Sequence, residues 1–121
     1  MNVSNLCYLD ACEAIELFKS RALSPVELLQ AHINRAEEVE PKINAFASVR
    51  YEKAMATAKL SEKKYMDGDI SKLGLLEGIP VALKNEHTLT GNLTTIGSTL
   101  LKDVFDTKNS PITQTLIDAG A

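Results

Sequence analysis

The 121-residue sequence contains no uninterrupted apolar run of the roughly 18 residues that a membrane-spanning helix requires. Its opening, MNVSNLCYLDACEAIELF, carries acids where a secretory signal would have a basic segment and an apolar core, so no export signal is read there. A basic surplus is also missing: 13 Lys and Arg stand against 16 Asp and Glu, for a formal charge of −3. With both signs interspersed there is no basic face for nucleic acid and no polybasic patch for an anionic membrane. Cysteine is scarce. The spacing of Cys7 and Cys12 matches no common zinc or redox motif, and without an export signal a disulfide is not expected. No Walker pattern or GxGxxG predicts a phosphate cradle. His32 and His87 cannot be joined by enough further ligands to make a metal site. These absences predict a cytoplasmic protein with no metal site, no nucleic-acid partner and no membrane partner.

What is present is ordinary globular material. An apolar content of 45% suits a folded chain, and the length suits one domain rather than two. Three helices are predicted in the first half. Asp10 with Glu13 forms a cap, after which Ala11, Ala14, Ile15, Phe18 and Ala22 fall on one face. In SPVELLQAHINRAEEVEP, Ser24 caps, Pro25 takes the first helical position and Glu27 completes a capping box. Val26, Leu29, Ile33 and Ala36 make its apolar stripe, Glu37, Glu38 and Glu40 a solvated end, and Pro41 is expected to stop it. KINAFASV reads as extended. A third helix, roughly 50 to 67, turns Tyr51, Ala54, Met55, Ala58, Glu62 and Tyr65 inward and halts at Gly68.

The character then changes. DGDISKLGLLEG reads as a loop, IPVALK as a short strand, and SPITQTLIDAGA as a helix capped by Ser110 with Pro111 first inside. Ile112, Leu116, Ile117 and Ala119 supply the apolar side of that helix, and Gly120 ends it. A lone strand leaves its backbone donors and acceptors unpaired, so this pattern predicts the first part of a larger α/β domain.

Lys84 ends the predicted strand. Alternation puts Ile79, Val81 and Leu83 on one face, and Pro80, Ala82 and Lys84 on the other. On its own, a lysine at a strand end reads as a solvated charge; the functional alternative is an amine held neutral by burial and neighbours so that it acts as a base. The following TLTGNLTTIGS offers Gly91 and Gly97 for unusual backbone angles and Thr94, Thr95 and Ser98 as hydroxyls, a composition equally typical of a polar turn.

GIPVALK followed by Gly91, TTIGS and SPITQTLIDAGA resembles the opening of the amidase signature family. That pattern runs Gly-Ile-Pro-apolar-small-apolar-Lys-Asp, then Gly-x-x-Thr-Thr-x-Gly-Ser, then a proline-started helix ending Ala-Gly-Ala. Upstream, LSPVELLQAHINRAEEVEPKINAF resembles the family's N-terminal helix and the Pro-x-x-Asn-Ala-Phe after it. The likeness runs from about residue 10 to 121. It implies that residues 1–121 are the N-terminal portion of a single amidase domain. About 1–68 would be helical, and 69–121 would hold the first strand and helix of an α/β mixed sheet that is incomplete in this chain.

The resemblance further implies hydrolysis of a small-molecule carboxylic amide by a Ser–cis-Ser–Lys triad, with Lys84 as the catalytic base and no metal or organic cofactor. A neutral lysine would take a proton through the bridging serine and later return one to the leaving amine. Both serines are implied in a Gly/Ser-rich segment beyond residue 121, and none of Ser98, Ser110 or the threonines matches them. The 121-residue chain alone is accordingly expected to be inactive. One position departs from the pattern: Asn85 stands where the family usually has Asp, removing a negative charge beside Lys84. Two other readings remain open. One is the glutamine-hydrolysing subunit of a tRNA-dependent amidotransferase; the other is a non-catalytic remnant or helical interaction module.

Overall fold

The computed structural model describes residues 6–121. Its first half is a layer of three helices: α1 (Ala11–Lys19), α2 (Pro25–Ile43) and α3 (Tyr51–Asp67). Each start has a local chemical cause. The Asp10 carboxylate accepts from the Cys12 N–H at 2.8 Å. At α2 the predicted capping box is complete, with Ser24 Oγ accepting from Val26 N and the Ser24 N–H donating to Glu27 Oε2 at 2.9 Å. Gly68, at φ +76°, closes α3 in the left-handed region that glycine enters without strain.

Two expected ends differ. Pro41 does not stop α2, which runs on to Ile43. In the last turn a proline removes only one ladder donor. The helix ends instead where Asn44 turns to φ 46°, and the Glu40 carboxylate accepts from the N–H groups of Ala45 and Phe46. Ala22 lies beyond α1 and is exposed; Leu23 takes the core position in its place.

Packing in this layer is apolar. Leu6, Ala14, Phe18, Leu23, Leu28, Ala31 and Tyr65 form one buried cluster, and the Phe18 and Tyr65 rings lie 5.5 Å apart and tilted by 56°. Leu29, Ile33 and Ala58 form a second cluster between α2 and α3. Full burial of a side chain such as Phe18 contributes about 1.5–3 kcal/mol. Cys7 is half-buried with its thiol on the Ala31 carbonyl, Cys12 is exposed, and neither forms a disulfide. Burial lowers the His32 imidazole from its ordinary value, as suits a boundary residue of α2.

The second half is irregular until α4 (Pro111–Asp118), apart from short 3-10 turns at Ile70–Lys72 and Thr99–Leu101. The strand expected over IPVALK does not form, and no sheet is present among the described residues; the β pairing there is an isolated antiparallel bridge between Leu93 and Phe105. A strand exists through the neighbour that satisfies its backbone, and none runs beside residues 79–84. The expected alternation is lost with it: Ile79 packs on the first helical cluster while Val81 is exposed.

Ser110 caps α4 as expected, accepting from Thr113 N. The face that is buried, however, centres on Thr113, and Ile112 and Ile117 lie open. The end of α4 docks on the turn at residues 74–78 through Leu76 N–H to Ala119 O and Gly78 N–H to Gly120 O, both 2.8 Å. Gly74 is needed for that approach, because a Cβ there would sit 2.1 Å from the Ala119 oxygen. No helix among the described residues is long and apolar enough to cross a membrane.

Candidate functional site around Lys84

The site grows from a tight turn. The N–H groups of Glu86 and His87 both donate to the Lys84 carbonyl, at 2.7 and 3.1 Å. This fold-back brings the Lys84 ammonium to Glu86 Oε2 at 2.9 Å, while His87 Nε2 lies 3.8 Å from the other carboxylate oxygen. The Lys84 hydrogen bond is the largest of the effects that hold the Glu86 carboxyl below its ordinary value. Lys84 itself is 76% exposed, so in this chain it stands as a solvated, ion-paired charge.

Asn85 faces the TTIGS loop. Its amide nitrogen donates to Thr95 Oγ1 at 2.9 Å, and its oxygen accepts from the Thr95 N–H at 3.3 Å. Thr94 is buried and donates to Asp106 Oδ2 at 2.7 Å; the same oxygen accepts from Leu89 N. Backbone bonds from Gly91 N to Asp106 O and from Asp106 N to Asn92 O complete this knot. The loop's polar composition therefore serves first to hold the loop together. Ser98 is spent capping the 3-10 turn at Thr99, and Ser110 is spent capping α4.

Of the residues singled out by sequence, Lys84, Asn85, Thr94 and Thr95 come together on one hydrogen-bonded unit. His32 does not join them, since it lies on α2. No group of three or more metal-ligating side chains occurs among the described residues. A cavity of about 230 Å³ in the helical layer is lined by Lys19, Arg21, Lys64 and Tyr65 among others, but not by Lys84.

Sequence reasoning passed over Glu77, seven positions before Lys84, which is 2% exposed. Its carboxylate accepts from Ser61 Oγ at 2.6 Å, from Lys64 Nζ at 3.0 Å and from the Gly74 N–H at 3.1 Å. Burial works to raise this carboxyl, but Ser61, Lys64 and the Gly74 N–H outweigh it and hold the group below its ordinary value. The Tyr65 hydroxyl donates to the Glu77 carbonyl at 2.9 Å. Burial first, then the charges of Glu77 and Glu16, push Tyr65 up to about 12. The available signal was a carboxylate set between Leu76 and Gly78 in an apolar stretch, where only a paired charge is tolerated.

Comparison with known proteins gives the family. The Amidase family model matches residues 27–121, a span that includes both Glu77 and Lys84. A glutamyl-tRNA(Gln) amidotransferase subunit of Trichodesmium erythraeum (strain IMS101) is 39% identical over 102 residues, 84% of this chain and 21% of the relative. The corresponding mitochondrial protein of Ornithorhynchus anatinus is 37% identical over 103 residues, 85% of this chain and 19% of the relative. A solved chain, from a vestigial protein complex bearing on the origins of an s-triazine catabolic enzyme, superposes with a TM-score of 0.85 at 26% identity. That match covers 93% of this chain and 24% of the solved one. The chain thus spans about a fifth to a quarter of the proteins it matches. With the family model covering most of its length, the chain belongs to the Amidase family.

Proposed function

We propose that this chain forms the N-terminal part of an enzyme that hydrolyses a carboxylic amide C–N bond, with Lys84 as its catalytic base. The observation that carries the reading is the family match running through residues 27–121, with Lys84 at the end of GIPVALK. In this proposal the missing catalytic groups, a bridging serine and a nucleophilic serine, come from parts of the enzyme outside residues 1–121. The free amine of Lys84 takes a proton through the bridging serine, and the nucleophile attacks the amide carbonyl. In the geometry here Lys84 is exposed and ion-paired to Glu86. Lys84 works as a base only once the Glu86 ion pair is broken and water is excluded, which requires another segment to cover it.

The same reading extends to the fold. Residues 79–84 become a strand when a neighbouring strand of the complete amidase sheet lies beside them, and the open apolar residues of α4, Ile112 and Ile117, pack on that sheet. A single amidase domain then holds residues 1–121 entire, with its helical layer ending near residue 68. The names of the relatives favour one substrate in particular. Several proteins at 34–40% identity are glutamyl-tRNA(Gln) amidotransferase subunits, so glutamine, with the ammonia passed to a partner protein that handles tRNA, is the specific form of this proposal.

The test is substitution of Lys84 in the full-length enzyme. Lys84→Ala is expected to cost several orders of magnitude in amide turnover with the fold intact. Lys84→Arg is expected to be about as damaging, because a guanidinium keeps its proton at any working pH. Near-normal turnover in Lys84→Arg would return the residue to a solvated charge and end the proposal.

A further inference from the structure

The cavity of about 230 Å³ in the helical layer gathers positive charge from three elements. Lys19 comes from the end of α1, Arg21 from the turn after it and Lys64 from α3. The rest of its wall is apolar. Tyr65, Ile70 and Leu73 line it, and Ile70 is 67% exposed. The Tyr65 hydroxyl is already spent on the Glu77 carbonyl, so Tyr65 adds no free donor.

The three cations differ in what answers them. Lys19 Nζ lies 2.8 Å from Glu16 and Lys64 Nζ 3.0 Å from Glu77. Arg21 has no carboxylate partner among the described residues; its side-chain bond runs from Nη2 to the Met66 carbonyl at 3.1 Å. A guanidinium carries five N–H donors, so most of this fork is unanswered. One positive charge is therefore left over at the cavity. The end of α1 does not cancel it with bare carbonyls, because Ser20, Arg21 and Ala22 N–H groups close the carbonyls of Glu16, Phe18 and Leu17. The Arg21 backbone sits at φ 61°, a left-handed conformation that glycine would adopt without strain. The chain instead carries there a cation with no counter-ion.

We propose that this cavity is a binding site for a small monocarboxylate with a short apolar body. The carboxylate pairs with the Arg21 fork between Lys19 and Lys64, and the body lies on Tyr65, Ile70 and Leu73. A planar carboxylate matches a guanidinium two bonds at a time, and its single charge matches the one left over. The apolar wall separates this ligand from a bare anion such as phosphate, which gains nothing from it. Lys84 does not line the cavity, so the proposal stands apart from the amide-hydrolysis reading.

The probe is benzoate, titrated at neutral pH and low salt into the 121-residue chain and followed by NMR shifts of the backbone amides. Saturable shifts are expected around Arg21 and from Gly68 to Leu73, with a dissociation constant of about 1 mM, a workable affinity for so small a ligand. Benzyl alcohol has the ring without the charge, and inorganic phosphate the charge without the ring. Each should bind at least roughly 10-fold more weakly. Arg21→Gln should weaken benzoate by about 10-fold or more, the scale of a lost charge-assisted bond. Arg21→Lys should recover only part of that, because an ammonium lacks the fork. Arg21→Gly relieves the positive φ, so its unfolding midpoint should be no lower than that of the wild type while binding is lost; this separates loss of the charge from loss of the fold. The proposal is overturned by a wild-type chain with no saturable shifts, by benzoate binding that survives in Arg21→Gln or Arg21→Gly, or by phosphate binding as tightly as benzoate.

Discussion

Residues 6–68 and residues 69–121 are held together by different forces. Every buried hydrophobic residue, from Leu6 to Tyr65, belongs to the first region; the buried residues of the second are Glu77, Thr94 and Thr113. Large apolar side chains are not lacking in the second region, but Leu75, Val81, Ile96, Leu100, Val104, Phe105, Ile112 and Ile117 lie open. The helical layer is thus stabilised by area taken from water, whereas the Lys84 region is stabilised by directed hydrogen bonds. Polar knots specify geometry closely and contribute little net free energy per bond. A region built this way places Asn85 and Thr95 well, yet depends on the helical layer for its cohesion. Glu77 is the joint: its carboxylate is held by α3 and its flanking backbone by the end of α4.

The largest expected effect strikes the apolar side of this contrast. Phe18 is 1% exposed and packs in a tilted contact against Tyr65. Phe18→Ala should cost about 3–5 kcal/mol, read by urea unfolding followed by helical circular dichroism. A loss below about 1 kcal/mol would mean that the layer does not depend on this cluster.

Next comes the joint. Glu77→Ala strands the buried Ser61 hydroxyl and the Gly74 N–H, at a cost of about 1–3 kcal/mol. The pH dependence has a definite sign. Because the folded Glu77 carboxyl lies below its ordinary 4.5, its contribution is complete above that value and is lost as pH falls through the folded value. Tyr65 acts at the other extreme. Its folded value is raised to about 12, so its contribution is complete below 10.0 and disappears as pH rises toward 12. Stability measured from pH 2 to 12 should fall at both ends, and the acid limb should flatten in Glu77→Ala.

A smaller effect, about 1 kcal/mol, is expected for Ser24→Ala, which breaks the box at the start of α2. That cap also shows which parts of the molecule were legible in advance. Asp10, Ser24, Ser110 and Gly68 act on residues within one turn of themselves, so a short stretch of sequence contains the whole cause. The end of α2 was less legible, since it depends on a left-handed Asn44 and on the reach of the Glu40 side chain past Pro41. The strand expected at 79–84 is absent here for a deeper reason. Its pattern records what the segment can pair with, while its conformation records what lies beside it. Lys84, Asn85 and Thr95 were noticed from motif spacing, but their contacts were not readable, because the Asn85–Thr95 pair closes across ten residues of irregular chain. Glu77 was missed altogether: its partners are 13 and 16 positions upstream, on a helix whose outward face reads as ordinary polar surface.

The smallest effect belongs to the open apolar residues, and it sharpens the comparison most. Leu100 is 89% exposed, and its backbone N–H, not its side chain, joins the Ser98 cap. Leu100→Ser should therefore change the stability of the 121-residue chain by no more than about 0.5 kcal/mol in either direction, as surface substitutions do. In the longer protein proposed above the same substitution should cost more than about 1 kcal/mol if another segment buries that leucine, since a buried leucine contributes about 1.5–3 kcal/mol. Urea midpoints of both proteins, each with and without the substitution, give the difference directly. Equal small effects would mean that this leucine stays in water in the larger protein too, and the second region would then be stabilised by its polar knot even there.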